Sequence, residues 1–157
     1  MSSIQYYFSR ASEIDIDNII CLRLALLKEL GEIKSSQEEQ LVLTSTKQYL
    51  KQTLFNNEFI SYMAKANGEA VSGSGIVIFK RPPYLENLNG IEAYILNMYT
   101  TPEHRGRGIA RKLLESCIEE CKNIGVKRVW LHASEDGKRL YQNMGFTFKN
   151  NEMELFI

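Results

Sequence analysis

The chain has 157 residues, of which 19 are basic and 19 acidic, so its formal net charge is zero; 44% of the residues are hydrophobic. This length suits one domain that buries roughly 68–70% of its unfolded surface, and the composition is that of an ordinary globular protein, not of a disordered or membrane protein. Zero net charge disfavours a broad basic surface for nucleic acid, although a local cluster could still recognise a phosphorylated ligand.

The sequence gives little indication of export, of a membrane span or of disulfide bonds. The first residues lack the basic-then-apolar order of a signal peptide, and no apolar run approaches the roughly 18 residues of a membrane span, so we expect a cytoplasmic protein. Three cysteines without an export signal argue against a disulfide framework. Cys117 and Cys121 are interpreted as buried apolar residues, because no His or further Cys lies at ligand spacing; no metal is expected.

The N-terminal part predicts a strand followed by two helices. Residues 5–10 are rich in aromatics and read as a short strand. Ser12 then begins a helix as its N-cap, and Gly31 stands where a left-handed residue would end it. A second helix is predicted over residues 45–55, and the polar segment 32–40 between the helices is expected to be loose.

The middle and C-terminal parts predict mostly strands. Two β-prone runs flank Asn67-Gly68, a dipeptide typical of a type I′ hairpin, so the runs should pair antiparallel. The loop after them is expected to carry substrate contacts. The predicted elements are strands 59–66, 70–79 and 91–100, helix 108–123, strand 127–133, helix 134–144 and a final hairpin of 146–149 with 153–157. With no repeat or linker, the order indicates one mixed α/β domain.

One turn combines the features of an anion site. Gly106 and Gly108 precede a predicted helix, so backbone N–H groups can converge there and the helix start adds partial positive charge, which favours a pyrophosphate. Arg105, Arg107 and Arg111 add full charges. A Walker A loop is excluded because its string does not occur, and a dinucleotide fingerprint is excluded because Arg111 stands where a third Gly or Ala is needed.

The stretch Arg105-Gly106-Arg107-Gly108-Ile109-Ala110 resembles the Arg/Gln-x-x-Gly-x-Gly/Ala signature of the GNAT superfamily of acetyl-CoA-dependent N-acetyltransferases. Residues 97–102, 131–134 and 140–146 are similar to the family's successive motifs, in the same order. The close resemblance covers about residues 91–148. It implies the α/β GNAT fold over a single domain, residues 1–157: a central mixed, mostly antiparallel sheet with splayed parallel strands, flanked by about four helices.

The resemblance also implies acetyl-CoA as the cofactor, with its pantetheine arm lying between the splayed strands as an added strand would. Met98 and Thr100 would offer backbone groups to the arm, and a side chain at Gly108 should obstruct the pyrophosphate. The implied cofactor-binding residues are Met98, Tyr99, Thr100, Arg105, Gly106, Arg107, Gly108, Ile109, Ala110, Ser134, Lys138 and Tyr141.

The reaction that the resemblance implies is direct attack of an amine on the thioester, without an acyl-enzyme. Tyr141 matches the family's general-acid tyrosine and would donate a hydrogen bond to the departing thiolate. Glu92, thirteen residues before Arg105, is similar in position to the catalytic glutamate of the histone-acetylating branch. It is the candidate base, and a water chain is the alternative.

Three functional hypotheses follow. The first is an active N-acetyltransferase, the second a non-catalytic acetyl-CoA-binding sensor or regulatory module, and the third a phosphate-binding regulatory domain unrelated to coenzyme A. The presence of Tyr141 favours the first over the second. Small amines, amino-acid derivatives, peptide N-termini and lysine side chains all stay open as acceptors. The resemblance implies that specificity comes from the first two helices and from the loops of residues 80–89 and 150–151. A homodimer is possible, and neither nucleic acid nor a membrane is expected as a partner.

Overall fold

The computed structural model describes residues 3–157, which build a six-stranded sheet with helices on both faces. The strands are β1 (Tyr6–Arg10), β2 (Phe59–Ile60), β3 (Tyr62–Ala66), β4 (Glu69–Lys80), β5 (Ile91–Thr100) and β6 (Arg128–Leu131). The helices are α1 (Ile16–Glu29), α2 (Ser36–Thr53), α3 (Ile109–Ile124) and α4 (Lys138–Asn143).

The strand order is β1-β3-β4-β5-β6, and β2 pairs with β4. The β5–β6 pair is parallel and the others are antiparallel, so the predicted mixed, mostly antiparallel sheet with about four helices is confirmed. The Asn67-Gly68 turn joins β3 to β4 with φ of 51° and 79°, the two positive values that a type I′ turn requires.

Two apolar layers cover the sheet. One joins α1 and α2 to the sheet through residues such as Leu27, Leu50 and Phe59. The other joins α3 and α4 to the opposite face and includes Ala93 and Ile95 of β5. Because successive strand residues point to opposite faces, β5 is covered on both sides, as its apolar sequence predicts.

The loose polar segment predicted between the first two helices was partly wrong, because α2 begins at Ser36. The Ser35 hydroxyl accepts a hydrogen bond from the Glu38 N–H at 3.1 Å, and the Glu38 carboxylate accepts one from the Lys34 N–H at 2.6 Å. These bonds satisfy backbone donors at the start of the helix. The cap therefore sets the first turn, although the local sequence is polar.

The C-terminal prediction was also wrong in two respects. Helix α4 begins at Lys138, and the Ser134 hydroxyl accepts a hydrogen bond from the Gly137 N–H at 3.2 Å, so Ser134 closes a turn before the helix. Residues 146–157 form no hairpin. Apolar, β-prone residues form a strand only when another strand pairs with them through backbone hydrogen bonds. Here the side chains of Met153 and Phe156 are instead exposed. Across residues 3–157, no helix combines the length and apolar character that crossing a bilayer demands.

Candidate active site

The two parallel strands, β5 and β6, lie at one edge of the sheet and part along their length. β5 and β6 pair over only four positions, from Glu92 opposite Arg128 to Ile95 opposite Leu131. β5 continues to Thr100 while β6 ends. Beyond Ile95, the edge of β5 that faces β6 has no strand partner in the described chain. An extended ligand can therefore add to this edge as a strand would.

A bulge in β5 lies where the strands part. Gly75 of β4 pairs with Leu96 but Gly73 pairs with Tyr99, so β5 carries one extra residue at this point. Asn97 lies in the bulge with a positive φ of 59°, a conformation that Asn tolerates better than most residues. Bulges bend a strand and increase its twist, which accounts for the divergence of β5 from β6.

The glycine turn follows β5 after one short 3-10 helix, Pro102–His104. Gly106 and Gly108 have φ of 74° and 77°, and no heavy atom beyond the adjacent residues lies within 4 Å of a Cβ built on either. The first backbone bond of α3 runs from the Lys112 N–H to the Gly108 carbonyl at 3.2 Å, so the N–H groups of Gly108, Ile109 and Ala110 have no partner within the helix. The turn is exposed at Gly106–Gly108. It thus presents open space lined by free amides, the arrangement that favours an anion.

Arg105 fastens this turn to the rest of the protein. Its Nε donates to the Thr100 carbonyl at 2.8 Å, and its Nη2 pairs with Glu29 of α1 at 2.7 Å. Its guanidinium also lies over the Tyr99 ring, 5.4 Å from the centroid. The hydrogen bond from Arg105 lowers the pKa of Glu29. Arg107, by contrast, is exposed and has no ion-pair partner among residues 3–157.

Other predicted cofactor residues flank the same opening. Met98 is half-buried and packs toward α3, whose first residue Ile109 lies in the core. Ser134 lies between β6 and α4, and Lys138 is the first residue of α4. The Lys138 ammonium pairs with Glu135 at 2.7 Å. The structure therefore places predicted residues on both sides of the space between the parting strands.

Tyr141 lies on α4 and packs edge-to-face on Phe146, with ring centroids 5.9 Å apart. Burial raises the pKa of its phenol, and the neighbouring Cys117 contributes in the same direction. Its hydroxyl makes no hydrogen bond to any residue in the described part of the chain. A buried phenol without a partner is a hydrogen-bond donor available to a ligand.

Glu92 is fully enclosed at the start of β5. Its carboxylate accepts hydrogen bonds from Arg128 at 2.9 Å, Tyr84 at 3.1 Å and Arg81 at 3.4 Å. Burial alone would raise the pKa of Glu92, but the hydrogen bonds from Arg128 and Tyr84 and the charges of both arginines outweigh it and hold the pKa below its usual value. Strand alternation places Glu92 on the face opposite Ala93, which packs in the same layer as Tyr141. The two predicted catalytic residues are therefore not brought together.

A cavity of about 490 Å³ lies between α1, α2 and β5. The first two helices were expected to contribute to specificity, but the cavity itself was not predicted. Leu96 and Asn97, the residues after the last β5–β6 pair, form part of its wall. The cavity is lined by Arg23, Leu41, Val42, Ser45, Thr46, Tyr49, Leu50, Phe59, Leu96 and Asn97. The Ser35–Glu38 cap is the signal that could have indicated it, because an earlier start of α2 places Leu41 and Val42 on this helix.

The model of the acetyltransferase (GNAT) family matches residues 26–146, most of the chain. The chain belongs to this family. GNAT proteins are acyltransferases that use acetyl-CoA, so the predictions of family and cofactor from the glycine turn are confirmed.

Individual GNAT relatives agree with this assignment. The crystal structure of a predicted acetyltransferase with acetyl-CoA from Clostridium acetobutylicum is 28% identical, with a TM-score of 0.88 over 97% of this chain and 96% of that one. A GCN5-related N-acetyltransferase from Ralstonia eutropha JMP134 shares the fold, with 24% identity and a TM-score of 0.86 over 97% and 99% of the two chains.

A relative from Escherichia coli (strain K12), the uncharacterized N-acetyltransferase YjgM, is 31% identical over 91 residues, which are 54% of this chain and 49% of that protein. This chain thus spans about half the length of the curated relative it matches.

Proposed function

We propose that residues 1–157 form one N-acetyltransferase domain that transfers the acetyl group of acetyl-CoA to a primary amine by direct attack. The observation that carries the proposal is the opening of β5 from β6 beyond Ile95, with the free amides of the glycine turn just past the end of β5. In this arrangement the pyrophosphate binds at the turn and the pantetheine arm adds to the free edge of β5. Arg107 contributes a cation beside the pyrophosphate, while Arg105 holds the turn in place.

The leaving group needs help from the protein. In the proposed reaction the amine nitrogen attacks the thioester carbon, the carbon–sulfur bond breaks, and negative charge develops on sulfur. A thiol has a pKa of about 8.5 and a tyrosine about 10, so full proton transfer from Tyr141 is uphill, and burial raises the pKa of this tyrosine further. Tyr141 therefore acts as a hydrogen-bond donor to the developing thiolate, and solvent completes the protonation.

The amine must also lose protons. A lysine-like amine has a pKa near 10.4, so deprotonation at pH 7 costs about 4.6 kcal/mol. Two routes were considered, Glu92 and a water chain. Because Glu92 is fully enclosed by donors and its pKa is lowered, it is a weak base that an amine cannot touch. We favour water as the proton acceptor. Glu92 instead stabilises the pairing of β5 with β6 at their first residues, through its bond to Arg128.

The test is release of coenzyme A over a panel of amines at fixed acetyl-CoA, combined with calorimetric titration of acetyl-CoA. The proposal expects binding and amine-dependent release. Tight binding with no release for any amine would instead support the sensor alternative. No binding at all would remove the basis for both.

A further inference from the structure

The cavity between α1, α2 and β5 is largely apolar but holds one cation. Leu41, Val42, Leu50 and Leu96 supply apolar wall, and the Arg23 side chain of α1 enters the same space. Its volume of about 490 Å³ lies within the usual range for small-molecule sites. An apolar pocket with one charged group favours a ligand that has an apolar part and a single opposite charge.

Arg23 differs from other half-buried cations of this chain. Arg128 pairs with Glu92 at 2.9 Å, and Lys65 pairs with Asp15 at 2.9 Å. Within residues 3–157, no carboxylate oxygen lies within 4.0 Å of an Arg23 nitrogen; Glu32 acts on Arg23 only through its longer-range charge. A charge that is removed from water without a partner is costly unless a ligand supplies the partner.

The guanidinium of Arg23 keeps most of its donors free. Nη1 donates to the Asn97 side-chain oxygen at 2.5 Å, which anchors the bulge. A guanidinium has five N–H donors, and no other hydrogen bond joins Arg23 to the described residues. The free donors therefore lie beside the point where β5 leaves β6. A planar guanidinium can donate two parallel hydrogen bonds to a carboxylate, and its positive charge balances the single negative charge of the carboxylate.

We propose that the acceptor amine carries a carboxylate, bound by Arg23, and an apolar side group that fills the cavity. This inference rests on the proposed function. The acceptor class is thus an amino acid or a similar carboxylate-bearing amine. The cavity touches Leu96 and Asn97, so an acceptor held there lies next to the strand edge on which the pantetheine arm is proposed to end. Its nitrogen attacks the thioester carbon to give an amide and free coenzyme A, and the nitrogen's proton leaves to water.

The test compares acceptors that share a side chain and differ in charge. The probes are leucine, leucinamide and 3-methylbutylamine, with phenylalanine, phenylalaninamide and phenethylamine as a second set, each assayed for coenzyme A release. We expect kcat/KM to be about tenfold or more higher for each carboxylate, because a hydrogen bond between two charged groups is much stronger than one to a neutral amide. Equal kcat/KM for acid and amide would overturn the carboxylate site and leave the transferase proposal intact.

Substitutions of Arg23 test whether this residue binds the acceptor or only supports the bulge at Asn97. Arg23→Gln should raise KM for leucine at least tenfold with little change for 3-methylbutylamine, and Arg23→Lys should restore part of the preference. Arg139→Gln, an exposed arginine of α4, is the matched control and should behave as the parent protein. If Arg23→Gln lowers kcat/KM equally for charged and uncharged amines, Arg23 only supports Asn97 and the inference is wrong.

A binding measurement covers the case in which no probe is turned over. N-acetylleucine and N-acetylleucinamide are titrated by calorimetry into the protein with coenzyme A present. Tighter binding of the acid, lost in Arg23→Gln, supports the carboxylate site even then. Equal affinity of the two, or none for either, overturns it, and failure of acetyl-CoA itself to bind would instead identify a failure of the proposed function.

Discussion

At the scale of single residues, Tyr141 is the side chain whose removal should change chemistry most selectively. Tyr141→Phe keeps the ring that packs on Phe146 but loses the hydroxyl that stabilises the leaving thiolate. We expect kcat to fall about 100-fold, with the acetyl-CoA Kd and the melting temperature almost unchanged. Steady-state kinetics and calorimetry on the two proteins test this, and equal kcat would show that another group assists the thiolate.

Glu92→Gln should weaken the fold more than the chemistry. The change leaves Arg128 and Arg81 facing a neutral amide, and since both arginines are partly exposed we expect a loss of roughly 2–3 kcal/mol in the free energy of unfolding at pH 7. The folded pKa of Glu92 is lowered, so its contribution is present above the unfolded pKa, about 4.3, and is lost as pH falls through the folded value. The stability difference between the two proteins should therefore shrink below about pH 4, as measured by urea unfolding.

The pH profile of kcat/KM distinguishes the two proton routes. If water accepts the proton, Glu92→Gln keeps the shape of the profile in the protein that remains folded. Loss of one limb of the profile in the variant would identify Glu92 as the base after all.

Which single residues can be predicted from the sequence depends on how far apart the partners lie. Gly106, Gly108 and Tyr141 stand in local strings, so the resemblance could propose them as candidates. Arg105 finds Glu29 across 76 positions and Arg23 finds Asn97 across 74. No local sequence pattern indicates such pairs, because only folding brings their atoms within hydrogen-bonding distance.

At the scale of elements, the turn that begins α3 yields a matched pair of glycine variants. Gly108 and Gly31 both have φ of 77°, and no atom lies within 4 Å of a Cβ at either position. Gly108→Ala and Gly31→Ala should each lose about 1–2 kcal/mol of stability from the same backbone strain. Only the first should raise the acetyl-CoA Kd, by tenfold or more, because its methyl group enters the space assigned to the pyrophosphate. Equal affinities in the two variants would place the anion elsewhere.

Elements set by near neighbours were predicted well. Strand β5 has the predicted bounds, 91–100, and the turn at Asn67-Gly68 has the predicted type. The onset of α2 was missed because its polar first turn is held by a cap and not by apolar periodicity. The predicted C-terminal hairpin, residues 146–149 with 153–157, is absent because these residues pair with no strand within residues 3–157.

At the scale of the whole molecule, acetyl-CoA should stabilise the folded state. A ligand at 100 times its Kd adds about 2.7 kcal/mol, and 1 kcal/mol shifts the melting temperature of a chain of this size by about 2–4 °C. We therefore expect a rise of about 5–11 °C by scanning calorimetry, largely lost in Gly108→Ala and retained in Gly31→Ala. An unchanged melting temperature in the unmodified protein would contradict cofactor binding.

The mixed, mostly antiparallel arrangement of the sheet was predicted from the family resemblance, apart from the C-terminal hairpin, but the cavity beside α1 and α2 was not. Its wall combines α1, α2, β2 and β5, four segments whose mutual distance depends on packing across the sheet. Periodicity within each segment reports which face is apolar, and it carries no information about the volume left between them.

The burial of two of the three thiols makes this protein a convenient substrate for selective alkylation. Cys21 is exposed, whereas burial raises the pKa of Cys117 to about 11 and that of Cys121 to about 12. Only the thiolate reacts quickly, so a maleimide dye at neutral pH should attach once per native molecule, on α1. Mass spectrometry should then show two further adducts only on molecules whose core has unfolded. The fraction of molecules with three adducts therefore measures the fraction that has unfolded.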